Sequence, residues 1–151
     1  MFWLNGNSTK MRSMLKRIAK LSYSPESWKE FEKSYLLLAT TYIGRKKIDL
    51  ALDLCKRCLF YNKSCKKAWE LMGSIMEGKS NYSEAIHCYR QSWKLDQNEM
   101  SLRMGSRLAL LYLKTKQFSN AIDISTKVIE HSPEYPHMTD VLEKCVLSLR
   151  P

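Results

Sequence analysis

One pattern of large and small residues recurs three times along the 151-residue chain, and it constrains the fold more than any other feature. An offset of 34 residues carries the first copy onto the second, and an offset of 36 carries the second onto the third. A repeat of this length is typical of proteins built from stacked pairs of helices. The positions that recur as small residues are Ala39, Gly73 and Ala109, followed twelve residues later by Ala51, Ala85 and Ala121.

The spacing of the recurring residues explains why these types are needed. Intervals of three and four residues place side chains on one face of a helix. Where two helices of a hairpin cross closely only Ala or Gly fits, so we expect the recurring small residues to be contact pairs. Larger residues then fill the gaps to the next hairpin, and a single hairpin cannot bury its apolar face alone. The larger structural positions are Tyr35, Trp69 and Tyr89.

This pattern resembles the tetratricopeptide signature. The resemblance implies an all-α fold, in which helical hairpins form a right-handed solenoid with a C-terminal capping helix. The segments between the two helices of each copy are residues 44–47, 77–81 and 114–117. Pro133 closes the third copy, because a helix cannot continue through proline.

The organisation that follows has six parts. Residues 1–10 are expected to be unstructured or divergent, and residues 11–23 to form a lone amphipathic helix that leaves apolar surface exposed. The first repeat begins near Ser24-Pro25, an N-cap followed by proline at the first helical position. The last helix is expected to present a polar outer face, as the end of a solenoid requires. The repeats and the capping helix occupy residues 24–65, 66–101, 102–135 and 136–151.

The chain is strongly basic, with 25 Lys and Arg against 15 Asp and Glu, for a formal net charge of +10. Such a balance favours acidic partners but says nothing about the fold. No aromatic-rich strand, zinc finger or Gly-rich clamp accompanies the charge, as RNA-binding modules would need. Nucleic-acid binding is therefore not expected. The alternative hypothesis that stays open is a basic helical module that binds RNA or an acidic membrane surface.

The five cysteines suggest a reduced compartment, because their number is odd and no secretory signal precedes them. Cys55 and Cys58, with Cys65 and the His87-Cys88 pair, raise the hypothesis of a zinc site. However, Cys55 and Cys58 occupy inward positions of a second helix, where buried thiols are common. We therefore expect core packing, with no metal and no cofactor. No apolar run is long enough to span a membrane.

The chain carries no enzyme signature, since it has no Gly-rich phosphate loop, no HExxH and no GxSxG. We expect no catalytic residue and no small-molecule substrate. In solenoids of this class the first helices line the inner surface, which offers the candidate partner-binding face. That face is assigned to Lys33, Thr40, Lys67, Glu70, Ser74, Arg103, Ser106 and Lys114.

Chaperone-binding members of the repeat class hold a C-terminal carboxylate with a Lys, Asn, Asn, Lys and Arg set on the first helices. The matching positions here lack that set, so the capture of chaperone tails is not expected. These positions read Leu36, Thr40, Ser74, Ser106 and Leu110.

Five stretches resemble the extreme C-terminus of the tetratricopeptide repeat protein 21 family, a subunit of intraflagellar transport complex A. They are LKRIAK at residue 15, EFEKSYLLLATTYI at residue 30, NKSCKKAWELMGSIME at residue 62, LALLYLKTKQF at residue 108 and the closing SLRP. The resemblance covers residues 12–151, and residues 1–9 fall outside it. Because family members are very long, the chain is expected to match only their tail.

The resemblance implies a protein-interaction scaffold that acts in retrograde transport along the ciliary axoneme and in cilium assembly. It also implies partners among transport-complex subunits or ciliary cargo, and a location in the cytoplasm and cilium, at the axoneme and basal body. These expectations come from the family and not from the spacing of residues.

Overall fold

The computed structural model describes residues 28–95 and 102–150, together with Ser13 and Arg17, which are helical and exposed. Every regular element in this described part is an α-helix. In chain order they are α1 (Trp28–Gly44), α2 (Ile48–Tyr61), α3 (Lys66–Gly78), α4 (Tyr82–Leu95), α5 (Leu102–Lys114), α6 (Phe118–His131) and α7 (Met138–Leu149). The predicted lone helix at residues 11–23 and the N-cap at Ser24-Pro25 lie outside the described residues, apart from Ser13 and Arg17.

The chain divides into two compact units, residues 1–71 and 72–151, with the division inside α3. In the first unit α1 and α2 pack as a hairpin. Its core takes apolar residues from one face of each helix, as the three- and four-residue spacing requires. The buried side chains of this unit are Phe31, Tyr35, Leu38, Ala39, Tyr42, Ala51, Leu52, Leu54, Cys55, Cys58, Leu59, Cys65 and Ala68.

The second unit contains the end of α3 and all of α4 to α7. Helices α5 and α6 pack as a hairpin, α4 packs on α5, and α7 packs on α6. One continuous apolar cluster runs through these helices, from Ala85 on α4 to Cys145 on α7. Stacking therefore buries apolar faces that a single hairpin would leave exposed.

Each of the three turns between paired helices contains a non-glycine residue in the left-handed conformation. Lys46, Ser80 and Lys116 have φ values of 61°, 60° and 62°. In each turn the next residue donates its N–H to a carbonyl five residues back: Lys47 to Tyr42, Asn81 to Met76 and Gln117 to Tyr112. This hydrogen-bond pattern is the Schellman motif, in which glycine normally holds the left-handed position. The sequence pattern did not identify these strained positions.

Two glycines in the second unit make room for aromatic rings. A Cβ on Gly73 would lie 2.5 Å from Cε1 of Tyr89, and one on Gly105 would lie 2.7 Å from Cζ3 of Trp93. Gly105 occupies the position where the earlier copies have Tyr35 and Trp69. The missing side chain at Gly105 thus leaves space that Trp93 of α4 fills.

The expectation of a polar outer face on the last helix is wrong in part. Met138, Val141 and Cys145 of α7 are buried as the spacing predicts. However, Leu147 and Leu149 are 61% and 51% exposed, and Val146 is also exposed. The exposed side of α7 therefore mixes apolar side chains with the charged residues Glu143 and Lys144, and the exposed Arg150 follows the helix.

Candidate protein-interaction surfaces

The residues predicted to be structural repeat contacts differ in how deeply they are buried. Trp69 is half-buried and donates from Nε1 to the carbonyl of Lys63 at 3.0 Å. Pro133 is exposed in the turn that follows α6, so it marks the end of the helix and is not a packing residue. The pairwise contacts between recurring small residues stay a prediction. The buried members are Tyr35, Ala39, Ala51, Gly73, Ala85, Tyr89, Ala109 and Ala121.

The predicted partner-binding face begins, in the first unit, with four residues of α1 and α3. Lys33 and Lys67 are exposed, and Lys67 pairs with the half-buried Glu70 at 3.7 Å. Thr40 is exposed but donates its hydroxyl to the Leu36 carbonyl at 2.8 Å, one turn back on its own helix. Lys33 is therefore the side chain of this group that can reach a partner most freely, since Lys67 and Thr40 already interact within their own helices.

In the second unit the predicted face includes residues of α3 and α5. Ser74, Arg103 and Lys114 are exposed, and Ser106 is half-buried. The Nζ atom of Lys114 lies 4.4 Å from the centroid of the Tyr82 ring, a cation–π geometry. Hydrogen bonds from Lys114 and then from Ser80 lower the pKa of Tyr82.

A polar network that the sequence did not reveal joins α3, α4 and α5. Arg107 donates from Nη1 to the Tyr89 hydroxyl at 3.2 Å, and that hydroxyl donates to Oε2 of Glu77 at 3.3 Å. The same Arg107 nitrogen lies 3.7 Å from Oε2 of Glu77. Burial raises the pKa of Tyr89, which keeps its hydroxyl protonated as a donor. The network holds a partly exposed Arg–Glu pair in a fixed position at the surface of the second unit.

All five cysteines are buried and unbridged, which confirms core packing for Cys55 and Cys58. Burial raises the pKa of Cys65 to about 12 and that of Cys88 to about 11. Burial also raises the pKa values of Cys58 and Cys145. The thiolate is the form that attacks electrophiles and binds metals, so these thiols are unreactive near neutral pH.

Among the residues that the structure describes, no group of three or more His, Cys, Asp and Glu side chains is arranged to hold a metal ion. The helices of that same part of the chain are also too short, or too polar, to cross a bilayer.

A groove that the sequence did not reveal lies in the second unit, between the second helices α4 and α6 and the first helix α5. It is a cavity of about 180 Å³ between α4, α5 and α6. Its floor is apolar and its rim is charged. The lining residues are Arg90, Trp93, Lys94, Leu108, Tyr112, Asn120, Asp123, Ile124 and Lys127.

The arrangement of helices is similar to that of solved tetratricopeptide-repeat proteins. The crystal structure of MamA covers 94% of this chain and 88% of its own, with a TM-score of 0.64 and 15% identity. The structure of the first TPR of Spaghetti (RPAP3), bound to the HSP90 peptide SRMEEVD, covers 78% of this chain and 92% of its own, with a TM-score of 0.66 and 15% identity. The predicted all-α helical-repeat fold is confirmed.

Two human proteins are more similar to this chain in sequence than these solved structures are. Human tetratricopeptide repeat protein 21B is 47% identical over 141 residues, which are 93% of this chain and 11% of that protein. Human tetratricopeptide repeat protein 21A is 44% identical over 143 residues, which are 94% of this chain and 11% of that protein. The chain therefore spans about a tenth of the length of these relatives.

The family model for the tetratricopeptide repeat protein 21 C-terminal ARM domain matches residues 1–146. The expectation that residues 1–9 fall outside the family resemblance is therefore wrong, since the match begins at the first residue. The predicted family itself is confirmed, and the chain belongs to the tetratricopeptide repeat protein 21 family, in the part that corresponds to its C-terminal ARM domain.

Proposed function

We propose that the chain is a non-catalytic scaffold that binds other proteins, as the C-terminal part of an intraflagellar transport complex A subunit. Under this proposal it acts in retrograde ciliary transport and in cilium assembly. The match to the family over residues 1–146 is the observation that carries the proposal. The chain spans 11% of the length of its relatives. The extension of the whole protein's role to this chain is therefore part of the proposal.

The surface of each unit is consistent with protein binding. On the first helices Lys33 and Arg103 are exposed, and each can meet an acidic group without unfolding its helix. Exposed aromatic side chains also occur, since Phe60 and Tyr61 at the end of α2 stand edge to face with ring centroids 5.2 Å apart. Aromatic side chains and arginine are enriched in protein interfaces, so Phe60, Tyr61 and Arg103 are of the types that interfaces use.

A solved structure with a similar fold contains a bound peptide, which supports a protein-binding role for this chain. The first TPR of Spaghetti (RPAP3) is bound to a peptide of HSP90. A carboxylate clamp would need asparagine at the two positions that are Thr40 and Ser74 in this chain, so the clamp set is absent. We therefore propose partners other than chaperone tails, namely transport-complex subunits or ciliary cargo, met in the cytoplasm and cilium.

The proposal is tested by proximity labelling in ciliated cells with the chain fused to a biotin ligase. The wild-type fusion is expected to label transport-complex subunits, and the variant Lys33→Glu/Arg103→Glu is expected to label them at least about threefold less, because charge reversal at an interface weakens binding. The matched control is Lys56→Glu/Lys144→Glu, which makes the same charge change at exposed positions outside the predicted face. Recovery of no transport-complex subunit by the wild-type fusion would overturn the proposal, and recovery of RNA-binding proteins in their place would favour the nucleic-acid alternative.

A further inference from the structure

The groove between α4, α5 and α6 has a buried apolar floor. Leu108, Tyr112 and Ile124 are buried, and Trp93 is 3% exposed. At about 180 Å³ the cavity is smaller than the roughly 300–1,000 Å³ typical of small-molecule sites. Its size suits one inserted side chain of a partner and not a cofactor.

The floor contains one polar atom that lacks a partner. Nε1 of Trp93 is buried and makes no hydrogen bond. The Cζ3–Cη2 edge of the same indole ring lies beside Gly105, 2.7–3.0 Å from where a Cβ of that residue would stand. The nitrogen is on the far side of the ring from Cζ3, so it is turned away from the α5 backbone. A buried donor without an acceptor costs about 1–3 kcal/mol, and a ligand oxygen in the cavity would remove that cost.

The rim of the groove carries more positive than negative charge. Arg90 and Lys94, one turn apart on α4, are exposed, and no ion pair joins either of them to another residue of the described part. Lys127 of α6 lies 3.5 Å from Asp123, so that pair is close to neutral. The charge that remains at the rim is therefore that of the two α4 cations.

From these three features we propose that this groove binds an acidic segment of a partner protein, with a glutamate side chain inserted into the cavity. The methylene groups of glutamate fit the apolar floor, and its carboxylate oxygens accept from the indole N–H and from the rim cations. The two rim cations lie on the second helix α4, and the floor includes Leu108 and Tyr112 of the first helix α5. None of the residues assigned to the predicted first-helix face lines this groove. The proposed site does not depend on a role of the chain in cilia.

The probe is an acetylated and amidated hexaglutamate peptide, added to the full chain labelled with nitrogen-15 at tryptophan. The Trp93 indole N–H signal is identified by its loss in Trp93→Phe. Hexaglutamate is expected to shift this signal in a saturable way, whereas hexaglutamine and inorganic phosphate at equal concentration leave it in place. Phosphate that shifts the signal as strongly as hexaglutamate would overturn the peptide assignment.

Charge variants locate the binding. Arg90→Glu/Lys94→Glu is expected to weaken hexaglutamate affinity at least about tenfold, since both rim charges reverse. Lys56→Glu/Lys144→Glu, with the same change in net charge, is expected to weaken it less than about twofold. Both substituted pairs are exposed, so neither double change is expected to unfold the chain. A retained circular dichroism spectrum checks that each variant is folded.

Three outcomes contradict the proposal. Equal weakening by the two double variants would show general attraction to a basic chain and no site. Weakening by Lys33→Glu/Arg103→Glu, with a Trp93 signal that does not move, would place the peptide on the first-helix face. An oligouridine that shifts the Trp93 signal at lower concentration than hexaglutamate would assign the groove to nucleic acid instead.

Discussion

Gly73 and Tyr89 show how one missing side chain in a repeat compensates for one that is too large. The first and third copies pair Ala39 with Cys55 and Ala109 with Ser125 at the corresponding positions. The second copy has Gly73 and a fully buried Tyr89, whose ring lies where a Cβ at residue 73 would stand. The sequence showed that residue 73 is small, but it did not show that the Tyr89 ring packs against it. Spacing along a helix does not give the direction in which a ring points.

Gly73→Ala is therefore expected to destabilise the chain by about 1–3 kcal/mol, as overpacking of a buried site does. Gly78→Ala is the matched control, since a Cβ there meets nothing within 4 Å. That control should be neutral or slightly stabilising, because Ala favours helix over Gly. Urea unfolding monitored by circular dichroism measures both, and equal stabilities for the two variants would refute the close packing of Gly73 against Tyr89.

Among the elements that join the helices, the three interhelical turns share a strain that the sequence pattern conceals. Gly44 and Gly78 are near the first two turns, yet neither has a positive φ. The left-handed position falls instead on Lys46, Ser80 and Lys116, two residues beyond the last residue of each first helix. Because the Schellman hydrogen bonds fix that position, the side chain there must tolerate the strain.

Lys46→Gly is expected to stabilise the chain by about 0.5–1 kcal/mol, because glycine adopts a positive φ without strain. The equivalent gain is expected at Ser80 and Lys116. Lys47→Gly removes the same charge from the adjacent residue, whose φ is −91°, and should give no gain. Thermal and urea unfolding compare the variants, and a loss of stability in Lys46→Gly would contradict the left-handed geometry.

The last helix shows where burial ends earlier than a local pattern predicts. The apolar residues of α7 follow helical spacing through Leu149, yet burial stops at Cys145. Spacing assigns residues to one face of a helix, but packing against the neighbouring helices decides how far along that face burial extends. For this reason the helix itself could be predicted from the sequence, whereas the polarity of its exterior was overestimated.

Across the whole molecule, buried thiols whose pKa is raised link stability to pH, and Cys65 and Cys88 are two of them. Thiol pKa values near 9 in an unfolded chain are raised by burial to about 12 for Cys65 and about 11 for Cys88. A group with a raised pKa in the folded state favours folding while it is protonated, so its contribution is complete below a pH of about 9. That contribution is lost as the pH rises from about 9 toward 11 and 12, because the unfolded chain ionises first.

The free energy of unfolding is accordingly expected to fall between about pH 8 and pH 10 by about 1 kcal/mol for Cys88 alone. Cys88→Ala should be less stable than the wild type at the lower pH but show a smaller loss between the two pH values. Urea unfolding with reducing agent present measures the difference. A wild-type stability that does not change over this range would contradict the burial of the thiols.

The order of residue types along the chain was enough to predict the family, the helical-repeat fold and the positions of the small residues. These follow from local chemistry, since the three- and four-residue spacing sets helix faces and the recurring offset sets the repeat. The Glu77–Tyr89–Arg107 network, the left-handed turn residues and the groove at Trp93 became visible in the folded chain alone. The network and the groove join side chains from different helices. The left-handed residues have backbone angles that are fixed by hydrogen bonds across a turn. Their geometry arises when the hairpins pack, and linear spacing does not contain it.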